Sequence, residues 1–575
     1  MYQELHKFEK IFFTVLSVIL VVFYAASAVW IPAATQFHRG VYVLITYIAV
    51  FLIYRSQNKY MRVLDYVLMT LSAVTVIYWI ANFETINYRA GAETMIDQYI
   101  AVVGVLLGIE IARRAVGFVF VVIGIIMLLY GVYGEYAPEL FSHPGDTFLG
   151  VCTNIFFRED GVFGIMANVL ATYVLLFVLF GAFLEKSGAQ KFFIDLPMAA
   201  VGHKIGGPAK VAVIASALFG SISGSAIANT VSTGTFTIPL MKKAGFKPHI
   251  AGAIEPAASI GGMFMPPIMG AGGFIMAELT GIPYSRIMLI AIFPALMYFF
   301  SVFVMVHYEA KRYNIVGEKS PINAMDILKK EWYYILPLLV ITVLMLFGFS
   351  AGFSAVMGIV SCIAVSYFNK DTRFTPSSFL EAARQGTESS LKIGATVGII
   401  GIIISMLTFS GLILTFADIV IQLAGGNLVM TIVLIALASL VLGMGVPVTA
   451  AYLITAVVAV PALTHLGVNV LAAHMIVYWL SQDSNITPPV CIAAFAGATI
   501  AEAPMWKTAF SAFKFAKFLY LGPFLFGYVP GFTLQGDYWD IIKAFIMILF
   551  GTYAYSYFMS FIWYSKLKNL IKGVK

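Results

Sequence analysis

Charge is what this sequence has least of. Only 11% of its 575 residues are Asp, Glu, Lys or Arg, against 61% hydrophobic. A water-soluble domain carries roughly 25% charged residues, so a soluble globular fold is excluded. Cysteine is nearly missing as well. Cys152, Cys362 and Cys491 lie far apart with no CxxC and no ligand spacing, so they read as small apolar residues. The eight histidines form no HExxH, and there is no GxxxxGK[ST]. The chain therefore carries no sign of a nucleotide-driven motor of its own. No nucleophile–base pair or metal cluster is visible, which sets a membrane enzyme aside. The apolar runs do not alternate in segments of about 10 residues, and that excludes a β-barrel.

What the sequence does have is long apolar runs. Mean hydropathy is +0.92, and many segments approach the roughly 20 residues that cross a bilayer. The expected fold class is an all-α polytopic membrane protein. The formal charge of +7 resides in short loops, as the positive-inside rule expects. It marks cytoplasmic loops and calls for no nucleic-acid partner. Ala26-Ser27-Ala28 resembles a cleavage site, but the apolar run from Ile11 to about Ala34 exceeds a signal core of roughly 7–15 residues. A retained first span is expected, with both termini cytoplasmic.

Basic and acidic loops alternate along the chain. Spans near 11–34, 41–54, 63–81, 98–112 and 116–134 are flanked in turn by Lys7/Lys10, Arg55/Arg62, Glu93/Asp97, Arg113/Arg114 and Glu135/Glu139. A span near 162–186 follows, then an amphipathic stretch at 188–209 suited to the interface. Residues 210–241 begin and end beside cytoplasmic lysines, which makes them a re-entrant hairpin with "GSISGSAIANT" at its tip. The segment 248–281 crosses, broken at "SIGGMFMPP". Spans near 287–306, 332–348, 352–368 and 393–421 come next. By parity, 428–465 is a second hairpin, entering from outside with "GMGVPVTAAY" at its tip. The segment 469–501 crosses back and is broken at "SQDSNITPP", and two last spans lie near 516–533 and 538–562.

Shifting the chain by 222 positions lays Pro239 on Pro461, Gly245 on Gly467, Ser259 on Ser481 and Pro266-Pro267 on Pro488-Pro489. The loop charges give the two copies, about 162–281 and 393–505, opposite orientation. Such an inverted repeat, with paired broken segments near the midplane, is the signature of a secondary transporter. In lipid, broken backbone survives only inside protein or along a watery cavity. A helix broken at the midplane offers carbonyls to a cation and N–H groups to an anion. Pro488 and Pro489 are expected at the start of the second half-helix, where a missing N–H costs least. Gly261 and Gly262 give the first copy freedom to unwind.

The candidate site residues follow from these breaks. Ser221, Ser223 and Ser225 either let helices approach closely or supply hard oxygen ligands to a small cation. Asn229 and Asn485 can each donate to a carboxylate, with Thr449 and Thr487 as lesser candidates. Asp483, the one acid inside either break, is a cation ligand, a proton carrier or a helix cap. Glu255 is a second proton candidate or an interface charge. Glu278 reads as an interface charge, and His465 and His474 as interface residues.

"SISGSAIANTVSTGTFTIPLM", "EPAASIGGMFMPPIMGAGGFIMAE" and "GMGVPVTAAYLI" resemble the large membrane subunit of tripartite ATP-independent periplasmic (TRAP) transporters. The TAXI branch, with the small four-helix subunit fused ahead of the large one, looks closest. The resemblance implies a small-subunit-like scaffold at 1–114, a connecting helix at 115–145 and the large-subunit part at 146–575. It implies an elevator-type transporter of the bacterial inner membrane. A periplasmic substrate-binding protein would deliver a small organic acid, such as a dicarboxylate, and sodium or protons would drive uptake, with no organic cofactor. One cation site would use Ser221, Ser223, Ser225, Gly261 and Gly262. The other would use Gly443, Gly445, Asp483, Ser484 and Asn485 and lean more on backbone oxygen. The substrate would meet Ser225, Asn229, Thr449, Asn485 and Thr487. A binding-protein-independent anion transporter, an exporter and an ion channel stay open as alternatives, and membrane lipids surround the whole.

Overall fold

A computed structural model describes residues 2–56, 58–319, 322–444 and 446–572. Among these the chain is helical throughout, apart from one isolated bridge between Ile205 and Val316. Eleven of the described helices are long and apolar enough to cross a bilayer. The first five, Lys7–Val29, Thr35–Ile53, Lys59–Tyr88, Met95–Ala115 and Phe118–Tyr133, correspond to the five expected spans, with ends shifted in either direction.

Ion pairs join loop ends that the charge pattern groups together. Three basic stretches expected on one face meet there: Arg55 and Arg62 reach Glu9, and Arg62 and Arg114 reach Asp65. Arg384 donates to the Tyr2 hydroxyl (2.6 Å), and Lys186 pairs with Glu381 (2.7 Å). On the opposite face, Arg158 pairs with Glu93 (2.6 Å) and Arg89 with Asp97. Buried or half-buried charges hold only when paired, so these contacts tie the predicted sides together.

The repeat is visible element by element. The first hairpin has arms Gly207–Ser223 and Ala226–Lys243, and the second has arms Leu428–Leu442 and Val448–His465. The first broken helix comprises Pro248–Gly261 and Gly270–Thr280, and the second comprises Val470–Leu480 and Ile492–Ala501. Second arms and half-helix starts recur 222 positions apart. So do the cis Pro–Pro peptides and the left-handed residues Met269 and Cys491 that open the second half-helices. The two broken helices pack antiparallel. A Cβ at Gly252 would stand 2.8 Å from both the Ala501 Cβ and the Gly497 carbonyl, and one at Gly272 would enter the Tyr478 ring. The first half of each therefore lies beside the second half of the other, as an inverted repeat requires.

Several expectations need correction. The run 393–421 is not one span. Its helix Val397–Phe409 continues Pro376–Gly394 and ends at Gly411, which is left-handed (φ 72°), and a separate helix Leu412–Leu423 follows. A short apolar helix at Phe148–Phe157 had no counterpart among the expected spans. Pro488 and Pro489 do not start the second half-helix; they lie in the unwound link, and the helix begins at Ile492. Of the amphipathic stretch 188–209, Ala189–Val201 forms a helix, and the residues from Gly207 onward begin the first hairpin arm instead.

Candidate functional site

Each hairpin tip touches the break of its own copy. In the first copy the contact is backbone on backbone: a Cβ at Gly262 would stand 2.4 Å from the Gly220 Cα. Only glycine at both positions permits that approach. Gly224 turns the tip with φ 61°, and a Cβ there would meet the Gly270 Cα at 3.3 Å. Ser221 and Ser223 occupy the last turn of the first arm, and Ser225 caps the second arm by accepting from the Ala228 N–H (3.3 Å). Ser221 donates to the Leu218 carbonyl (2.8 Å), and the Ser223 hydroxyl lies 3.4 Å from the Ser225 carbonyl. Asn229 is fully buried. Its amide donates to the Ser216 carbonyl (3.2 Å), and its Oδ1 has no hydrogen-bond partner among the described residues. The first break thus meets the tip through Gly262 at Gly220, with the Asn229 amide beside that glycine, whereas Gly261 faces Tyr298 and Phe299.

In the second copy the residues Asp483–Asn485 form a single 3-10 turn inside the break. Gly443 faces Ser484, whose hydroxyl would lie 2.8 Å from a Cβ at that glycine. Gly445 lies outside the described residues. Asp483 is buried at 2% exposure, and its Oδ1 has no partner among the described residues. The neighbouring Gln482, fully buried, leaves both amide atoms without one, as do the hydroxyls of Ser439 and Thr449. Leaving such a group unsatisfied costs about 1–3 kcal/mol, and in a water-excluded interior more. Carboxylate, amide and hydroxyl oxygens are hard donors, the kind that a small hard cation takes. Asn485 donates to the Gln482 carbonyl (3.3 Å), and Thr487 is engaged by the Tyr520 hydroxyl.

The two breaks differ in what their freed carbonyls meet. Around the first, buried tyrosines supply hydroxyl donors. Tyr478 reaches Met263 O (2.8 Å) and Met269 O, Tyr284 reaches Pro267 O (2.9 Å) and Ile268 O, and Tyr298 reaches Ala257 O (2.7 Å). Tyr478 belongs to the second broken helix, so one copy supplies the donor for the other's unwound backbone.

Glu255 sits fully buried in the first broken helix. It accepts from Ser216 (2.5 Å) on one hairpin arm and from Thr233 and Thr237 on the other. It is no interface charge but the tie between hairpin and broken helix. Glu278 accepts from the Asn168 amide (2.9 Å) at an exposed edge. His465 is exposed, but His474 is not an interface residue: it is buried, 2.8 Å from the Tyr452 hydroxyl. The three cysteines are buried and free.

Sequence reasoning missed Gln482, Ser439 and the tyrosines. Ser481 and Ser259 had been aligned by the repeat, and the polar run beside Ser481 carried the signal for Gln482. The tyrosines gave no local signal.

Two re-entrant hairpins and two antiparallel broken helices, related by an inverted repeat, are the architecture of a secondary membrane transporter. Residues 103–532 match the family described as "Tripartite ATP-independent periplasmic transporter, DctM component". The chain belongs to that family. It is 24% identical over 416 residues to the C4-dicarboxylate TRAP transporter large permease protein DctM of Pseudomonas aeruginosa, covering 68% of this chain and 93% of that one. It is 23% identical over 337 residues to the sialic acid TRAP transporter permease protein SiaT of Haemophilus influenzae, covering 57% and 53%. The 2,3-diketo-L-gulonate TRAP transporter large permease protein YiaN of Escherichia coli is 29% identical over 144 residues, covering 25% and 33%. A solved structure of the Alcanivorax borkumensis YdaH transporter aligns at 16% identity and a TM-score of 0.48, over 75% of this chain and 98% of its own.

Proposed function

We propose that this chain is the membrane component of an ion-coupled uptake system for a small organic acid in the bacterial inner membrane. A periplasmic binding protein of TAXI type delivers the substrate. The hairpins and broken helices, as one body, slide across the membrane against the remaining helices. Relatives named for C4-dicarboxylate, sialic acid and diketo-gulonate support the substrate class, since each name is that of an organic acid.

The observation that carries this reading is the second break. Among the described residues a buried carboxylate and a buried amide lack partners there, beside a single 3-10 turn, and so do the hydroxyls of Ser439 and Thr449 on the hairpin arms. An intramembrane ionisable residue in that setting marks an ion pathway by default. Sodium would use Asp483, Ser484, Asn485 and Gly443, and at the first break Ser221, Ser223, Ser225, Gly261 and Gly262. A proton would use Asp483 or Glu255. The organic acid would be held by Ser225, Asn229, Thr449, Asn485 and Thr487, near the N-termini of the second hairpin arms, where N–H groups favour an anion.

The test is reconstitution in liposomes with candidate binding proteins and labelled C4 or C5 acids, varying the sodium and pH gradients separately. Uptake is expected to follow one of the two gradients. Asp483→Asn is expected to abolish uptake or uncouple it from that gradient at unchanged expression. Wild-type coupled rates in Asp483→Asn would remove Asp483 from the mechanism.

A further inference from the structure

Away from the breaks, the ends of the first four helices that the basic loops assign to the cytoplasm line a cavity of about 990 Å3. Four guanidiniums line it, those of Arg55, Arg62, Arg113 and Arg114, with His6 and a single carboxylate, Glu4. The other acids of the cluster hold the arginines from their far sides. Glu9 and Asp65, both buried, anchor Arg62 and Arg114, and Glu110 grips Arg113 through two bonds of 2.7 and 2.9 Å. The guanidiniums are thus fixed in place, each paired with at least one of Glu9, Asp65 and Glu110, and they, rather than those three acids, line the cavity wall. The Nε of Arg62 is buried without a partner among the described residues, and Arg113 is half exposed. Beside the mouth, Tyr60, Met61, Val63 and Val67 run up the third helix as an exposed apolar stripe.

We propose that this cavity is a binding site for the phosphate headgroup of an anionic lipid in the cytoplasmic leaflet, its acyl chains lying along that stripe. Arginine forks match phosphate oxygens in pairs, and basic pockets between helices on the cytoplasmic side take anionic headgroups. The site stands apart from the transport reading and does not depend on it.

The full chain would be purified, delipidated and examined by native mass spectrometry and thermal unfolding, with phosphatidylglycerol, phosphatidylcholine or inorganic phosphate added. The wild type is expected to retain phosphatidylglycerol and to gain thermal stability from it but not from phosphatidylcholine. In Arg55→Gln/Arg113→Gln, occupancy should fall at least about tenfold, the loss of one charge-assisted hydrogen bond. If that variant does not fold, Arg55→Lys/Arg113→Lys keeps the charge, loses the forks and should show intermediate occupancy. Equal stabilisation by phosphatidylcholine, or unchanged retention in the double variant, overturns the proposal. So does stabilisation by inorganic phosphate alone, which would make this a site for a soluble anion.

Discussion

At the scale of single residues, Glu255 shows how a carboxyl group is accommodated in a membrane interior. Three hydroxyls from two helices converge on it. Removing the acceptor would strand them unequally. Thr233 and Thr237 can fall back on the Asn229 and Thr233 carbonyls, at 2.7 and 3.1 Å, whereas among the described residues Ser216 is left with the Thr233 hydroxyl at 3.3 Å. Glu255→Ala should therefore destabilise the protein by about 2–4 kcal/mol, read as a lowered unfolding midpoint in detergent. Glu255→Gln, which keeps the volume and one acceptor, should cost clearly less. Equal midpoints for both variants and the wild type would show that the carboxylate does not tie hairpin to helix.

At the scale of elements, the joint between hairpin and break rests on two glycines. Gly262→Ala would drive a methyl group against the Gly220 backbone, where no side chain can yield. Such overpacking costs about 1–3 kcal/mol, and uptake should fall with it. Gly551→Ala is the control: that position in the last helix has open space around it and should be neutral or slightly stabilising. Assays of uptake and unfolding on the pair distinguish a steric joint from general sensitivity to alanine. This joint was partly legible beforehand. Gly-Gly and Pro-Pro mark the breaks in any reading, and the 222-residue period placed the hairpins on their observed arms. The end of a helix at Gly411 carried a signal in Ser410-Gly411, which the long apolar run on either side outweighed. The helix Phe148–Phe157 was too short to register as a span. Tyr284 and Tyr298 escaped notice because a phenol that reaches a carbonyl 16 to 41 residues away leaves no trace in local sequence.

At the scale of the whole molecule, the proposed sliding needs a boundary between moving and fixed helices. The Asn168–Glu278 contact lies across one such boundary, joining the helix after residue 164 to the outer end of the first broken helix. Asn168→Cys with Glu278→Cys, joined by a short bifunctional reagent, should reduce uptake to background, and a cleavable linker should restore it on reduction. The three native cysteines are buried and should contribute little. Full uptake by the cross-linked protein would refute relative motion at that boundary. The tyrosine that crosses between copies has a further consequence. Because Tyr478 closes the opened main chain around Met263 and Met269, a polypeptide cut after the first copy would lose the donor that covers those carbonyls. The earlier half should emerge from synthesis unfinished, waiting for its mirror image before its own bend can set.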